Sequence, residues 1–301
     1  MLRRIAVPLD GSKLAERALP MALEIASRTG AGLRLITVHV PLSLRYGDPV
    51  LIPGDPLDSD VEKHEREYLE GLAESQSKVG GVEVGAVVVP MRYSIPGTIA
   101  KWAKAQGADG IAISKHGELG PGVPWLGSVA DGLLRTSNLP ILLVSSPQSP
   151  SDTDAFKVTD LVVPLDGSGL AEKALGLAAP LARKLGVGVT LLRVIPKYAE
   201  PGMTELRKLA REYLDSVKNR TAKAVPGAST EIKVSNHPAK AIVEFASSYP
   251  GRLVVMTTRG RGGLRRLLLG SVADKVARGS ERPILLMQPP AAKKKSRRPR
   301  R

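Results

Sequence analysis

The stretch Val7-Pro8-Leu9-Asp10-Gly11-Ser12-Lys13-Leu14-Ala15-Glu16-Arg17-Ala18-Leu19 decides the fold, because it returns as Val163-Pro164-Leu165-Asp166-Gly167-Ser168-Gly169-Leu170-Ala171-Glu172-Lys173-Ala174-Leu175. Eleven of the thirteen positions agree at an offset of 156. Further on, Leu126-Gly127-Ser128-Val129-Ala130-Asp131 repeats as Leu269-Gly270-Ser271-Val272-Ala273-Asp274, and Pro140-Ile141-Leu142-Leu143 as Pro283-Ile284-Leu285-Leu286, now at an offset of 143. The second copy is therefore 13 residues shorter between the blocks. The surplus is assigned to the proline-rich stretch from Pro41 to Pro56, since loops absorb insertions at low cost. Ser145 to Asp154, rich in Ser, Pro and Asp, reads as a linker with a boundary near Ser151. The expected organisation is one domain over 1–150, a second over 151–290, and a tail over 291–301.

Short β-branched runs alternate with longer amphipathic ones. Strands are expected at Arg3–Pro8, Leu33–Val40, Glu83–Val89, Gly110–Ser114 and Ile141–Ser145, with helices near Ser12–Thr29, Asp58–Val79, Pro96–Gln106 and Ser128–Ser137. The second copy repeats strands near Asp160–Pro164, Val187–Ile195, Glu231–Ser235, Arg252–Thr257 and Ile284–Gln288. Strands separated by helices imply right-handed crossovers, so each copy is an α/β domain: a doubly wound, five-stranded parallel sheet, Rossmann-like in plan. Ligands of such sheets sit outside the strand carboxyl ends, at the switch point.

Composition limits the chemistry. With 43% apolar, 24% charged and only 3% aromatic residues, the cores are built from Ala, Val, Leu and Ile. No cysteine and only four histidines exclude disulfides and thiolate chemistry and argue against zinc. The amino terminus does not read as a signal peptide, and no apolar run approaches the length of a membrane span, so a cytoplasmic location is expected. Seven of the +15 net charges lie in Ala291–Arg301, leaving +8 for the rest. That tail, without an aromatic residue, is expected to be disordered and to grip nucleic acid at most weakly and without sequence preference.

Two features of each copy fall at strand carboxyl ends. Asp10 and Asp166, in their Pro-Leu-Asp-Gly-Ser turns, either accept hydrogen bonds from an adenine amino group or ribose hydroxyl, or only turn the chain and cap the next helix. After the fourth strand come glycine-rich segments, Ser114 to Val129 and Thr257 to Val272, each ending in Gly-Ser at a helix start. Glycines let backbone amides approach a polyphosphate, and the helix opening adds free N–H donors, a hydroxyl and the positive end of a dipole. No histidine belongs to a metal-spaced set or a nucleophile–base pair; His116 lies within the first segment, and His39 is expected to alternate away from the ligand face.

Both elements, occurring twice, resemble the universal stress protein family, whose nucleotide-binding members carry Gly, two residues, Gly, nine residues, then Gly-Ser or Gly-Thr. The nine-residue spacing is met from Gly117 to Gly127 and from Gly260 to Gly270, whereas the first glycine is replaced by Ser114 and Thr257. The resemblance covers the chain apart from linker and tail. It implies an adenine and ribose side of Asp10 with Val40 and of Asp166 with Val194. It implies a phosphate side of Gly117, Gly127, Ser128 and Val129, and of Gly260, Gly270, Ser271 and Val272. Charge favours the second copy, with Arg261, Arg265 and Arg266; sterics favour the first, since Thr is larger than Ser. The implied ligand is ATP with Mg²⁺, in a regulatory protein of the stress response. Pairing of the two halves along their last strands is also implied, in a pseudo-two-fold arrangement, and a homodimer is a further expectation. The alternatives are a slow ATP hydrolase and a scaffold with vestigial sites.

Overall fold

The computed structural model describes residues 2–46, 56–115, 126–145, 157–258 and 270–288. The first half runs β1 (Arg4–Pro8), α1 (Lys13–Glu16), α2 (Leu19–Thr29), β2 (Gly32–His39), α3 (Leu42–Tyr46), α4 (Pro56–Gly80), β3 (Val84–Pro90), α5 (Ile95–Ala105), β4 (Gly110–Ser114), α6 (Ser128–Thr136) and β5 (Ile141–Val144). The second runs β6 (Asp160–Pro164), α7 (Gly169–Glu172), α8 (Leu175–Leu185), β7 (Gly188–Ile195), α9 (Gly202–Thr221), β8 (Ser229–Val234), α10 (Pro238–Ser247), β9 (Arg252–Thr257), α11 (Ser271–Gly279) and β10 (Ile284–Met287). Each expected strand is present, within a residue or two of its bounds. The linker centre and the basic tail lie outside the described residues.

All ten strands form one sheet, in the order β3-β2-β1-β4-β5-β10-β9-β6-β7-β8. Neighbours are parallel except where β5 meets β10, antiparallel, with Leu142 opposite Leu285. These two leucines are equivalent in the repeat, so the pseudo-two-fold axis passes between them. Each is 2% exposed or less, and burying such a side chain contributes about 2 kcal/mol. The part-exposed Arg278–Asp131 pair also joins the halves, at 3.3 Å, but adds at most about 1 kcal/mol. Apolar burial therefore dominates this junction.

Strand registers locate the surplus. Leu35 pairs with Ala86 and its counterpart Leu191 with Thr230, so the offset falls from 156 to 144 between the second and third strands of each half. Twelve of the 13 extra residues thus lie in the connection containing Pro41–Pro56 and α3. That helix was not expected in a proline-rich stretch. The single helix expected over Ser12–Thr29 is two, because Arg17 and Ala18 bond three residues back, to Leu14 and Ala15, and Pro20 has no N–H for the next bond. From Leu19, α2 buries Ala22, Ile25, Ala26 and Thr29, one helical stripe, and ends on Gly30 at φ +71°, the left-handed cap glycine favours.

Two buried cations distinguish the halves. Lys115, directly after β4, is 3% exposed, and its ammonium donates to the Ser280 carbonyl ending α11. Ser145 Oγ donates to the same carbonyl at 2.9 Å. Burial pushes the lysine down from 10.5 to about 7, opposed in part by the charge of Glu281. His39, closing β2, is 4% exposed; Nδ1 lies 2.9 Å from Glu65 Oε2 and Nε2 3.4 Å from Asp58 Oδ1, both acids on α4. Burial alone lowers the imidazole, yet the bonds to Glu65 and Asp58 together hold it above its ordinary 6.5. The counterpart of His39 is Ile195, packed with Met203 and Ala210 of α9, so an ion cluster and an apolar contact dock equivalent helices.

These cations give opposite pH dependences. Between about 7 and 10.5 the unfolded chain holds a proton on Lys115 that the folded chain lacks, so this residue makes stability rise with pH across that window. In urea unfolding, Lys115→Met is expected to be more stable than wild type at pH 7, with the gap closing towards pH 10; parallel curves would contradict the assignment. For His39 the folded value is raised, so its contribution is complete below 6.5 and is lost as pH climbs through the folded value. The stability deficit of His39→Leu is therefore expected to be largest near pH 6 and to shrink above it, and a pH-independent deficit would count against the cluster.

Candidate functional site

The pairing of Ile5 with Gly110 sets β1 beside β4, so chains leaving these neighbours turn to opposite faces. Ala15, Ala22, Ile25 and Leu69 of α1, α2 and α4 cover Val7 and Leu35 on one face. Ile99, Ala103, Ala130 and Leu133 of α5 and α6 cover Ala6 and Ile36 on the other. A crevice opens between these layers at the carboxyl ends, and the second half repeats it between β6 and β9.

The acidic side of the crevice is built by a tight turn. Leu9 N–H continues the ladder to the Ile36 carbonyl at 2.9 Å. Asp10 Oδ1 then accepts from Ser12 N at 3.0 Å and Ser12 Oγ at 2.6 Å, while Ser12 Oγ accepts from Ala15 N at 3.1 Å and caps α1. In the second copy Ser168 N donates to Asp166 Oδ1 at 2.9 Å and Ser168 Oγ caps α7 at 3.1 Å. Gly11 and Gly167 sit at φ +83° and +84°, where a β-carbon is strained. One oxygen of each aspartate is thus committed to holding the turn. Asp10 and Asp166 stand two residues past the ends of β1 and β6, and their charges reach Tyr68 of α4 and Tyr213 of α9 respectively.

On the opposing side, Gly127 N–H donates to the Lys115 carbonyl at 2.8 Å and Gly270 N–H to the Thr258 carbonyl at 2.5 Å. These bonds fix the starts of α6 and α11. Both helices have glycine at the N-cap, at φ −55° and −71°, and no side chain caps them. Their first-turn amides, including those of Ser128 and Val129 and of Ser271 and Val272, have no backbone partner among the described residues. Such an end attracts an anion. Gly117 and Gly260, with His116, Arg261, Arg265 and Arg266, lie outside the described residues.

Ser114 and Thr257, in the place of the first motif glycine, are each 4% exposed. They share the face of Ala112 and Val255, packed against the α2 and α8 layer, so the core takes up their extra atoms. Ser114 Oγ has no hydrogen-bond partner among the described residues. Register separates the two valines of the proposed adenine side. Pro8 pairs with Ile36 and Pro164 with Leu192, which makes Val38 the counterpart of Val194 and Pro196 the counterpart of Val40. Val194 lies inside β7, whereas Val40 follows the end of β2.

Two neighbours of the turns were not anticipated. Thr37 Oγ1 donates to the Leu9 carbonyl at 2.9 Å, and its counterpart Arg193 donates through Nη1 to the Leu165 carbonyl at 3.1 Å. The Arg193 guanidinium lies 5.6 Å from the Tyr213 ring centre. Tyr213 OH donates to Glu172 at 3.1 Å, as Tyr68 OH does to Glu16 at 3.0 Å. Burial first, then the glutamate, pushes Tyr213 up to about 12 and Tyr68 upward as well, so both phenols stay protonated donors. The offset of 156 could have flagged the Thr37/Arg193 pair, though not its carbonyl partners. Among the described residues no histidine and acid group could hold a metal ion, and no helix is long and apolar enough to cross a membrane.

Comparison with known proteins agrees with this architecture. The model of the Universal stress protein family matches residues 1–145 and again 158–288. A universal stress protein of Mycolicibacterium smegmatis is 25% identical over 298 residues, which is 95% of this chain and 97% of that one. The crystal structure of a universal stress protein from Archaeoglobus fulgidus superposes with a TM-score of 0.66 at 17% identity, covering 96% of this chain and 99% of the other. A universal stress protein crystallised in complex with cAMP aligns with 44% of this chain and 97% of its own, at 27% identity and a TM-score of 0.35. With two family domains in series on one continuous sheet, the chain belongs to the universal stress protein family.

Proposed function

We propose that this protein is an adenine-nucleotide-binding regulator of the stress response, taking ATP with its Mg²⁺ at the crevices of both halves. The observation that carries the reading is the twofold occurrence of a glycine-opened helix, free of side-chain caps, across the switch point from an aspartate turn. Asp10 with Val40, and Asp166 with Val194, would face base and ribose. Gly127, Ser128 and Val129, and Gly270, Ser271 and Val272, would donate backbone and hydroxyl hydrogen bonds to phosphate, joined by Gly117 and Gly260. Burial of Ser114 and Thr257 on the far face removes the steric objection their size raises. Mg²⁺ would arrive with the nucleotide and neutralise part of its charge.

Denaturing the purified protein and identifying released small molecules by mass spectrometry is expected to yield adenine nucleotide, or the emptied protein is expected to take up ATP. Asp166→Ala and Gly270→Val should each abolish uptake by the second copy, since one removes the carboxylate and the other sets a branched side chain at the helix opening. Unchanged calorimetric binding in both variants would overturn the placement of that site.

A further inference from the structure

We propose that Lys115 couples the two nucleotide sites, so that filling one tightens the other, because it holds the start of α6 through its carbonyl and the end of α11 through its ammonium. The inference rests on the nucleotide reading and adds regulation to it. Gly127, which opens the phosphate-side helix of the first half, is fixed by its bond to the Lys115 carbonyl. The side chain of that same residue crosses to the second half and donates to Ser280. Ser280 caps α11, whose other end is Ser271, on the phosphate side of the second half. Nine helical residues span about 13 Å as a rigid rod. A bound phosphate drawing on the Gly127 end therefore acts on the Lys115 backbone, and through its side chain on the helix that opens at the second site. An ammonium at the carboxyl end of α11 also complements the helix dipole, whose positive end is offered at Ser271.

Among the described residues the link is built once. In the mirrored position Thr258 receives the Gly270 N–H, but its buried hydroxyl has no hydrogen-bond partner among the described residues. The remaining mirrored contact runs from Gln288 Nε2 to the Leu134 carbonyl at 3.4 Å, and Gln288 does not hold Gly270. Coupling in binding is reciprocal whichever site fills first, so one bridge serves both directions. Ser145 donates to the same Ser280 carbonyl without holding Gly127, which makes it the natural control.

Calorimetric titration of full-length protein with Mg²⁺ and ATP tests this as a cycle. The affinity of the first site is measured with the second intact and blocked by Gly270→Val, in the wild-type, Lys115→Met, Lys115→Thr and Ser145→Ala backgrounds. Blocking the second site is expected to weaken the first at least about fivefold in wild type and in Ser145→Ala, and to leave it unchanged in both Lys115 variants. Threonine is the residue the second half carries at this position, so an effect shared by both variants belongs to the lost ammonium and not to the shape of methionine. An equal shift with and without Lys115, or no shift in wild type, would overturn the coupling while leaving nucleotide binding intact. No ATP uptake by wild type at either site would instead bring down the nucleotide reading and the coupling with it.

Discussion

The hydrogen bonds between β1 and β4, and their repeat between β6 and β9, are the constraint from which the rest follows. They place side by side two strands whose continuations leave to opposite faces of the sheet. The crevice is what remains where two helical layers part company. The aspartate turn and the glycine-opened helix then belong to the ends of neighbouring strands, because one follows β1 and the other follows β4. Glycines at the openings of α6 and α11 leave the first-turn amides without a side-chain cap.

Joining the halves edge to edge has a second effect. The antiparallel junction at Leu142 and Leu285 hides the two strand edges that isolated domains would expose. It also turns the carboxyl end of one half towards the amino end of the other, which brings the tail end of α11 within reach of Lys115. A buried lysine with a carbonyl rather than a carboxylate as partner costs stability. Its retention at the junction, where the second half manages with threonine, is what singles it out from the remaining cations.

Much of this was legible in the residues. The repeat announced two domains, the alternating periods gave ten strands, and the Asp-Gly-Ser and Gly-Ser pairs marked both sides of the crevice. What escaped the sequence depends on contacts distant along the chain. Lys115 and Ser280 are 165 residues apart, and nothing local says that a lysine beside a glycine-rich segment is buried. His39 could be assigned a face by alternation, but its acids lie 19 and 26 residues further on, past a stretch read only as loop. Val40 and Val194 were carried over from the family pattern one copy at a time; the offset of 156 already pairs Val194 with Val38, and the ladder register confirms that the two valines are two residues out of step. The break after α1 was missed because helical periodicity survives a single turn of three-residue bonding.

Amide hydrogen exchange with and without Mg²⁺ and ATP tests the central claim most directly, since the site is made of backbone N–H groups. Slowed exchange should concentrate at 10–12 with 127–130 and at 166–168 with 270–273, on opposite sides of each crevice. Exchange unchanged at the openings of α6 and α11, or slowed only elsewhere, would contradict it.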